Sequence, residues 1–217
     1  MKLPAYISKP SASGGKKSPG IVLIHDWMGL GNFTKIVADR YASLGYTTIA
    51  PDLYLGSLPK NPDEAKKLSS GVNRQLSKRL LDGTTVYLRA LDIAKIGITG
   101  YCFGGTQAFD QVCDSADISA AIIYYATKIP EEDLLSKISA PLLIIYGDQD
   151  QHVSSREATQ LEQALRTMGK EVKLLLYPGA PHAFFNEENK QNYRAEAAKD
   201  AWEKTVEFFN VRLMVDW

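Results

Sequence analysis

The chain has 217 residues, enough for one sizeable hydrophobic core but not for a second full domain. Lys and Arg (25) balance Asp and Glu (25), so no charge excess marks it for nucleic acid or an anionic membrane surface. No apolar run approaches the ~20 residues of a membrane span, and the start lacks the apolar core of an export signal. The two cysteines, Cys102 and Cys113, make no disulfide framework, so the cytoplasm is the expected compartment. The expected assembly is a monomer or small homo-oligomer.

In chain order, residues 9–20 are rich in Gly, Ser and Pro and read as a turn or short hairpin loop. Ile21-Val22-Leu23-Ile24 reads as a strand buried on both faces, as in a parallel sheet. It runs into His25-Asp26-Trp27-Met28-Gly29-Leu30, a loop at the strand's C-terminal end, the edge where open α/β sheets bind ligands. Helical spacing follows, with Phe33, Ile36, Val37, Tyr41 and Leu44 on one face and Gly45 as the stop.

Tyr46–Ala50 is the next strand, closed by Pro51-Asp52-Leu53-Tyr54. Residues 55–94 are more polar, and Asn61-Pro62-Asp63-Glu64 marks a helix start. Val72, Leu76, Leu80 and Leu81 predict an amphipathic helix broken near Gly83, followed by Val86, Leu88 and Leu91; this excursion is a candidate partial substrate cover. Ile96–Thr99, Ile118–Tyr125, Pro141–Gly147 and Val172–Tyr177 read as further strands. Ala158, Leu161, Leu165 and Met168 mark a helix ended by Gly169, and Trp202, Val206, Phe209 and Leu213 form a stripe on the last helix. Alternating helices and buried strands predict a single α/β domain over residues 1–217, with a mostly parallel, doubly wound sheet and helices on both faces.

The stretch Gly100-Tyr101-Cys102-Phe103-Gly104-Gly105 lies between a strand and a helical segment. It has the strand–turn–helix form of a G-x-S-x-G nucleophile elbow, with cysteine in place of serine. The turn needs small neighbours, which Gly100, Gly104 and Gly105 supply, and the helix N-terminus favours negative charge at the thiol. The plain alternative is a Gly-rich turn holding a buried, inert cysteine. A dinucleotide turn is excluded, because G-x-G-x-x-G is absent and position 106 is Thr106. If Cys102 and Cys113 share the following helix, eleven residues separate them by roughly 16 Å, beyond disulfide reach, and Cys113 is a packing residue.

An elbow thiol becomes a catalyst only with a base and an orienting acid. His182, in Pro178-Gly179-Ala180-Pro181-His182-Ala183-Phe184, follows the last strand and is the candidate base. Asp150, in Gly147-Asp148-Gln149-Asp150-Gln151-His152-Val153, is the candidate acid, with Asp148 making an Asx-type turn. The order Cys102, Asp150, His182 is the nucleophile–acid–base order of the α/β-hydrolase fold. A class I glutaminase would carry glutamate two residues after the histidine, where this chain has Phe184. His25, His152 and His182 lack metal-ligand spacing, so no metal and no cofactor are expected; His25 reads as a packing residue and His152 as an exposed loop residue.

These residues together resemble the dienelactone hydrolase (carboxymethylenebutenolidase) family of the α/β-hydrolase superfamily. The resemblance spans Ile21 to the final helix and rests on Ile24–Leu30, Ala50–Tyr54, Gly100–Gly105, Gly147-x-x-Asp150-x-x-Val153 and Pro178-Gly179-x-x-His182-x-Phe184. It implies hydrolysis of an enol-lactone ester through an acyl-enzyme on Cys102, with His182 as base then acid and Asp150 as its orienter. It implies an oxyanion hole from the backbone N–H groups of Trp27 and Phe103, and a substrate-side role for Tyr125. Asp26 stands where family members have a glutamate that contacts the resting thiol, and Asn186 where they have a carboxylate-binding arginine. Arg74 and Arg79 are the candidates for replacing that arginine. The reading is therefore a cysteine hydrolase of small esters or lactones, with dienelactone as one candidate. The reading from a different class is a non-catalytic or redox-sensing relative in which Cys102 is a reactive thiol.

Overall fold

The computed structural model describes residues 3–11 and 18–214. Residues 12–17, half of the expected 9–20 loop, lie outside the described residues. Seven strands form one sheet: β1 (Ala5–Ser8), β2 (Gly20–Ile24), β3 (Thr47–Pro51), β4 (Ile96–Tyr101), β5 (Ala120–Tyr124), β6 (Leu142–Gln149) and β7 (Val172–Pro181). Their order is β1-β3-β2-β4-β5-β6-β7, parallel throughout except for β1, which runs antiparallel to β3 at one edge. Strands β2 to β5 are buried along their whole length, as the unbroken apolar runs predict. The four-residue β1 is too brief to stand out in sequence; pairing with β3 makes it a strand.

Among the described residues there are seven helices, six between strands and one after the last: α1 (Asn32–Ser43), α2 (Pro62–Gly71), α3 (Arg74–Ala90), α4 (Phe103–Asp114), α5 (Glu132–Leu135), α6 (Ser155–Thr167) and α7 (Ala195–Leu213). None among the described residues is long and apolar enough to cross a membrane. Helix α1 buries Phe33, Val37 and Tyr41 as expected, but Ile36 and Leu44 stay exposed. Leu44 is already the C-terminal cap, outside the helical repeat. Two Asn caps start α2 and α3: the Asn61 side chain accepts from Glu64 N–H, and the Asn73 side chain from Leu76 N–H.

Helix α3 runs through Gly83 without a break, contrary to the sequence expectation. One glycine costs about 1 kcal/mol in a helix, and the packing of Leu80, Leu81, Thr84 and Leu88 outweighs it. Val86 and Leu91 lie on its outer side, exposed. On α7 the stripe is also shifted. Ala198, Ala201 and Thr205 join Phe209 and Leu213 in the core, while Trp202 is only half-buried. Small residues let the helix approach the sheet, and the hydroxyls of Thr205 and Tyr124 meet at 2.7 Å.

The aromatic core beneath the C-terminal strand ends joins Phe33, Tyr101, Tyr124 and Phe185, with ring centroids 5.0–5.2 Å apart for Phe33–Tyr101, Tyr101–Phe185 and Tyr124–Phe185. Above it, backbone approaches backbone too closely for any side chain. A Cβ on Gly104 would lie 2.3 Å from the His25 carbonyl oxygen and 2.4 Å from that of Ile24. Gly83, in contrast, faces open space in mid-helix. Gly104→Ala is expected to destabilise the fold by about 2 kcal/mol or more, whereas Gly83→Ala should stabilise it by roughly 0.5–1 kcal/mol. Thermal unfolding followed by circular dichroism reads both signs, and an unchanged midpoint for Gly104→Ala would contradict the close approach.

Candidate active site

Cys102 stands between the end of β4 and the first residue of α4, with φ 57° and ψ −116°. A non-glycine residue reaches that region at a cost of about 1–3 kcal/mol and holds it only where its surroundings fix it. Here Cys102 N–H donates to the Tyr124 carbonyl (3.2 Å), and Thr106 N–H donates to the Cys102 carbonyl (3.1 Å). The sulfur-bearing residue is partly exposed at the floor of a cleft of about 860 Å³. Phe103, at the first position of α4, has an N–H with no partner inside the helix.

Asp150 lies one residue beyond β6 and His182 one residue beyond β7, so neighbouring parallel strands deliver both to the same edge. Asp150 Oδ2 and His182 Nδ1 are 2.8 Å apart, and Asp150 is buried. The other carboxylate oxygen accepts from His152 N–H (2.8 Å) and Val153 N–H (3.4 Å), which fixes its direction. His182 is held further by Asn192, whose side-chain amide donates to its carbonyl (2.9 Å), and by the Tyr125 ring packed edge-on at 5.1 Å. Its Nε2 is buried and forms no hydrogen bond. Burial pushes the imidazolium down, but the Asp150 hydrogen bond and the neighbouring Cys102 thiol outweigh it and raise His182 to about 9.

An irregularity in β7 opposite the end of β6 accompanies this delivery. Gly147 pairs with Tyr177 and Gln149 with Pro181, so β7 carries two extra residues between the two pairs and the register shifts. A Cβ on Gly147 would lie 1.9 Å from the Ala180 carbonyl oxygen, so only glycine admits the crossing. Asp148 does not make the local Asx turn expected of it. Its side chain reaches across and accepts from Gly179 N–H (2.8 Å), tying the β6 end to the loop that carries His182.

The loop after β2 forms the opposite wall. Asp26 Oδ1 accepts from Met28 N–H (2.8 Å), and Asp26 Oδ2 from the Asn186 side-chain amide (3.3 Å). Burial, reinforced by the Glu188 charge and opposed by these hydrogen bonds, pushes the Asp26 carboxyl up to about 6. His25 is fully buried: Nδ1 donates to the Asp26 carbonyl (2.7 Å), and Nε2 accepts from Leu53 N–H (3.1 Å). That pairing fixes one neutral tautomer and ties this loop to the one after β3. The Trp27 carbonyl accepts from the Tyr54 hydroxyl (2.9 Å), and both Trp27 and Tyr125 line the cleft.

Two expectations fail here. Arg74 is closed in a double ion pair with Asp110 and Asp114, each at 3.0 Å, on the outer side of α4. Arg79 lines a different groove, beside Ile7 and Tyr87 at the β1 edge. Neither lines the cleft. Both are drawn away because α3 turns its polar face outward from the sheet. The excursion's one contribution to the cleft lining is Ser69, from α2. Conversely, His152 was read only as a loop residue, yet its exposed ring stacks edge-on against His182 at 4.4 Å. Burial against the cleft, then the His182 charge, lower its pKa, with Asp150 opposing. Its signal in sequence was its place two residues after Asp150. Cys113 is buried in the core, and burial pushes its thiol up to about 12.

The profile of the dienelactone hydrolase family matches residues 3–213. "Protein usf" of Aquifex pyrophilus is 31% identical, across 96% of this chain and 93% of that protein. A protein of Aquifex aeolicus named "Putative carboxymethylenebutenolidase" is 27% identical, across 98% and 95% of the two chains. Among solved structures, the "Putative Dienelactone Hydrolase" of Klebsiella pneumoniae superposes with a TM-score of 0.86 at 25% identity, covering 95% of this chain and 92% of that one. The chain belongs to the dienelactone hydrolase family, ester- and lactone-hydrolysing enzymes built on the α/β-hydrolase fold.

Proposed function

We propose that the chain hydrolyses small esters or lactones through a thioester on Cys102, with His182 as proton carrier and Asp150 as its orienter. The observation that carries this reading is the 2.8 Å contact of buried Asp150 with His182 Nδ1, which leaves Nε2 for the elbow cysteine. In the first step the Cys102 proton resides on His182 Nε2, as the raised imidazolium pKa of about 9 favours, and the thiolate sulfur attacks the carbonyl carbon. The oxyanion that forms accepts from the Phe103 and Trp27 N–H groups, a contribution worth about 10²–10³ in rate per donor. Collapse breaks the acyl C–O bond, and His182 returns its proton to the departing oxygen. Water then gives a proton to His182 and adds to the thioester. The C–S bond breaks, the acid leaves and the thiol is restored.

Asp150 keeps the ring in the Nδ1–H tautomer and stabilises its positive charge. Asp26 sits on the cleft wall beside Asn186, and its raised carboxyl suits a group whose charge responds to what occupies the cleft.

Hydrolysis of a neutral short-chain aryl ester should fall about 10³-fold or more in Cys102→Ala; retained turnover would sink the thioester route. Asp150→Asn should lower kcat about 10²–10⁴-fold with the fold intact. Asp148→Asn should cost much less, because Asp148 bonds the Gly179 backbone rather than the ring. If Asp148→Asn were the more damaging, the acid would have to be reassigned.

Asp26 carries a stability cost of defined sign. Its folded-state carboxyl titrates near 6, above its ordinary value, so the folded state holds the proton more firmly. The stabilisation from that proton is complete below pH ~4 and lost as pH rises through 6. Asp26→Asn keeps an acceptor for Met28 N–H and loses the Asn186 contact. It is expected to raise stability at pH 7 by on the order of 1–2 kcal/mol, with no gain at pH 4. Urea unfolding at both pH values checks this, and an equal gain at both would place the effect in packing instead.

A further inference from the structure

The charge of the cleft around Cys102 is one-sided. Apart from the histidines, the titratable side chains that line it with Cys102 are Asp26, Tyr125 and Glu188; among the described residues no Lys or Arg contributes to the lining. The remaining polar lining is uncharged, chiefly Gln151, Asn186, Asn189 and Asn192. Both ends of the Asn186 side chain are engaged. Its amide nitrogen donates to Asp26 Oδ2, and its oxygen accepts from the Glu188 backbone N–H at 2.9 Å, so it ties the Asp26 carboxylate to the backbone that carries Glu188. Glu188 is near enough for its charge to act on Asp26. The cation of α3 nearest in sequence to the cleft-lining segment, Arg74, is committed to Asp110 and Asp114.

A carboxylate on the acyl part of a substrate would enter this space beside Asp26 with no Lys or Arg to meet it, and the one cation there, the His182 imidazolium, is already paired with Asp150 at 2.8 Å. Like charges within several ångströms in a half-buried site disfavour each other by on the order of 10–100-fold in occupancy. A neutral acyl group meets side-chain amides and apolar rings instead, and a cationic one meets two carboxylates.

We propose that the cleft takes esters whose acyl part is uncharged or cationic and rejects those carrying a carboxylate, with Asp26 and Glu188 setting the sign and Asn186 holding the Asp26 carboxylate. The word ester rests on the hydrolase reading above; the charge selection does not.

The test therefore uses the thiol itself. Cys102 reacts with methanethiosulfonates by attack of sulfur on the reagent's sulfenyl sulfur, with methanesulfinate leaving. The rate is followed at the Cys102 peptide by mass spectrometry, for a trimethylammonium-ethyl and a sulfonato-ethyl reagent. The cation-to-anion rate ratio, divided by that of free N-acetylcysteine, is expected to exceed about 10 at low salt and to shrink as salt is added. Glu188→Gln should lower it severalfold, and Asn186→Arg should bring it to about 1 or below. A normalised ratio at or below 1 in the parent protein, or one that neither variant moves, would overturn the proposal. In parallel, p-nitrophenyl butyrate should be turned over at least about 10-fold faster than the p-nitrophenyl monoester of glutaric acid. Equal turnover would also overturn the charge selection. Failure of both esters would instead remove the hydrolase reading, and the thiol ratio would still decide the selection.

Discussion

The constraint on which this molecule depends is the turn at Cys102. A cysteine at φ 57° has to be held there against a cost of about 1–3 kcal/mol. What holds it is backbone contact on three sides. Cβ atoms built on Gly100, Gly104 and Gly105 would lie 2.1–2.4 Å from carbonyl oxygens of Gly104, His25 and Tyr124 respectively. The same contacts bring α4 against β2, β4 and β5, so the turn and the sheet's centre define each other. Three of the non-glycine residues with positive φ, Cys102, Tyr125 and Ala183, line the cleft. Strain is concentrated where side chains must be aimed at one point, and the regular strands on either side over-determine it.

Parallel topology supplies the rest of the aiming. Strands β2, β4, β6 and β7 all point their C-terminal ends the same way, so loops far apart in sequence meet above one edge. The parts that need accuracy then receive extra ties. Asp148 joins the β6 end to Gly179, Asn192 holds the His182 carbonyl, and His25 joins the loops after β2 and β3. Each tie is a side chain bonded to backbone. Such bonds fix position from outside the cleft or with uncharged groups: Asp148 and His25 do not line it, and Asn192 does so with an amide.

Much of this was legible in the sequence, and the reason differs from part to part. Continuous β-branched runs such as Ile21–Ile24 and Ile96–Thr99 announce buried strands because no other environment accepts apolar residues on both faces. The glycines flanking Cys102 announce the elbow because only missing side chains allow it. The chain order of Cys102, Asp150 and His182 is readable because strand order places successive strand ends along one edge. Helix faces were read less well. Periodicity on α7 favours Trp202, yet Ala201 and Thr205 are the fully buried positions that meet the Tyr124 hydroxyl of β5, since small residues let the helix come near. Gly83 looked like a break because local propensity was given more weight than the packing of Leu80, Leu81 and Leu88. Arg74 and Arg79 are candidates because they lie in the 55–94 excursion and could replace the family's arginine; the partners of Arg74, Asp110 and Asp114, are fixed by how α3 lies on α4, which a one-dimensional pattern does not carry. The ring of His152 against His182 was invisible for the same reason.

Asp26 shows why such a site resists optimisation for stability. Its carboxyl is taken largely out of water and set near Glu188, and the two hydrogen bonds it receives do not restore its ordinary acidity. A fold selected only for stability would place a neutral residue there, since an incompletely compensated buried carboxylate is costly. The same incomplete compensation makes the group sensitive to what enters the cleft: a cation nearby would restore the ionised form, and an anion would oppose it. The residue that weakens the wall is thus the one through which the cleft would register the charge of its occupant, and Asn186 holds its carboxylate in the wall of the cleft that Cys102 also lines.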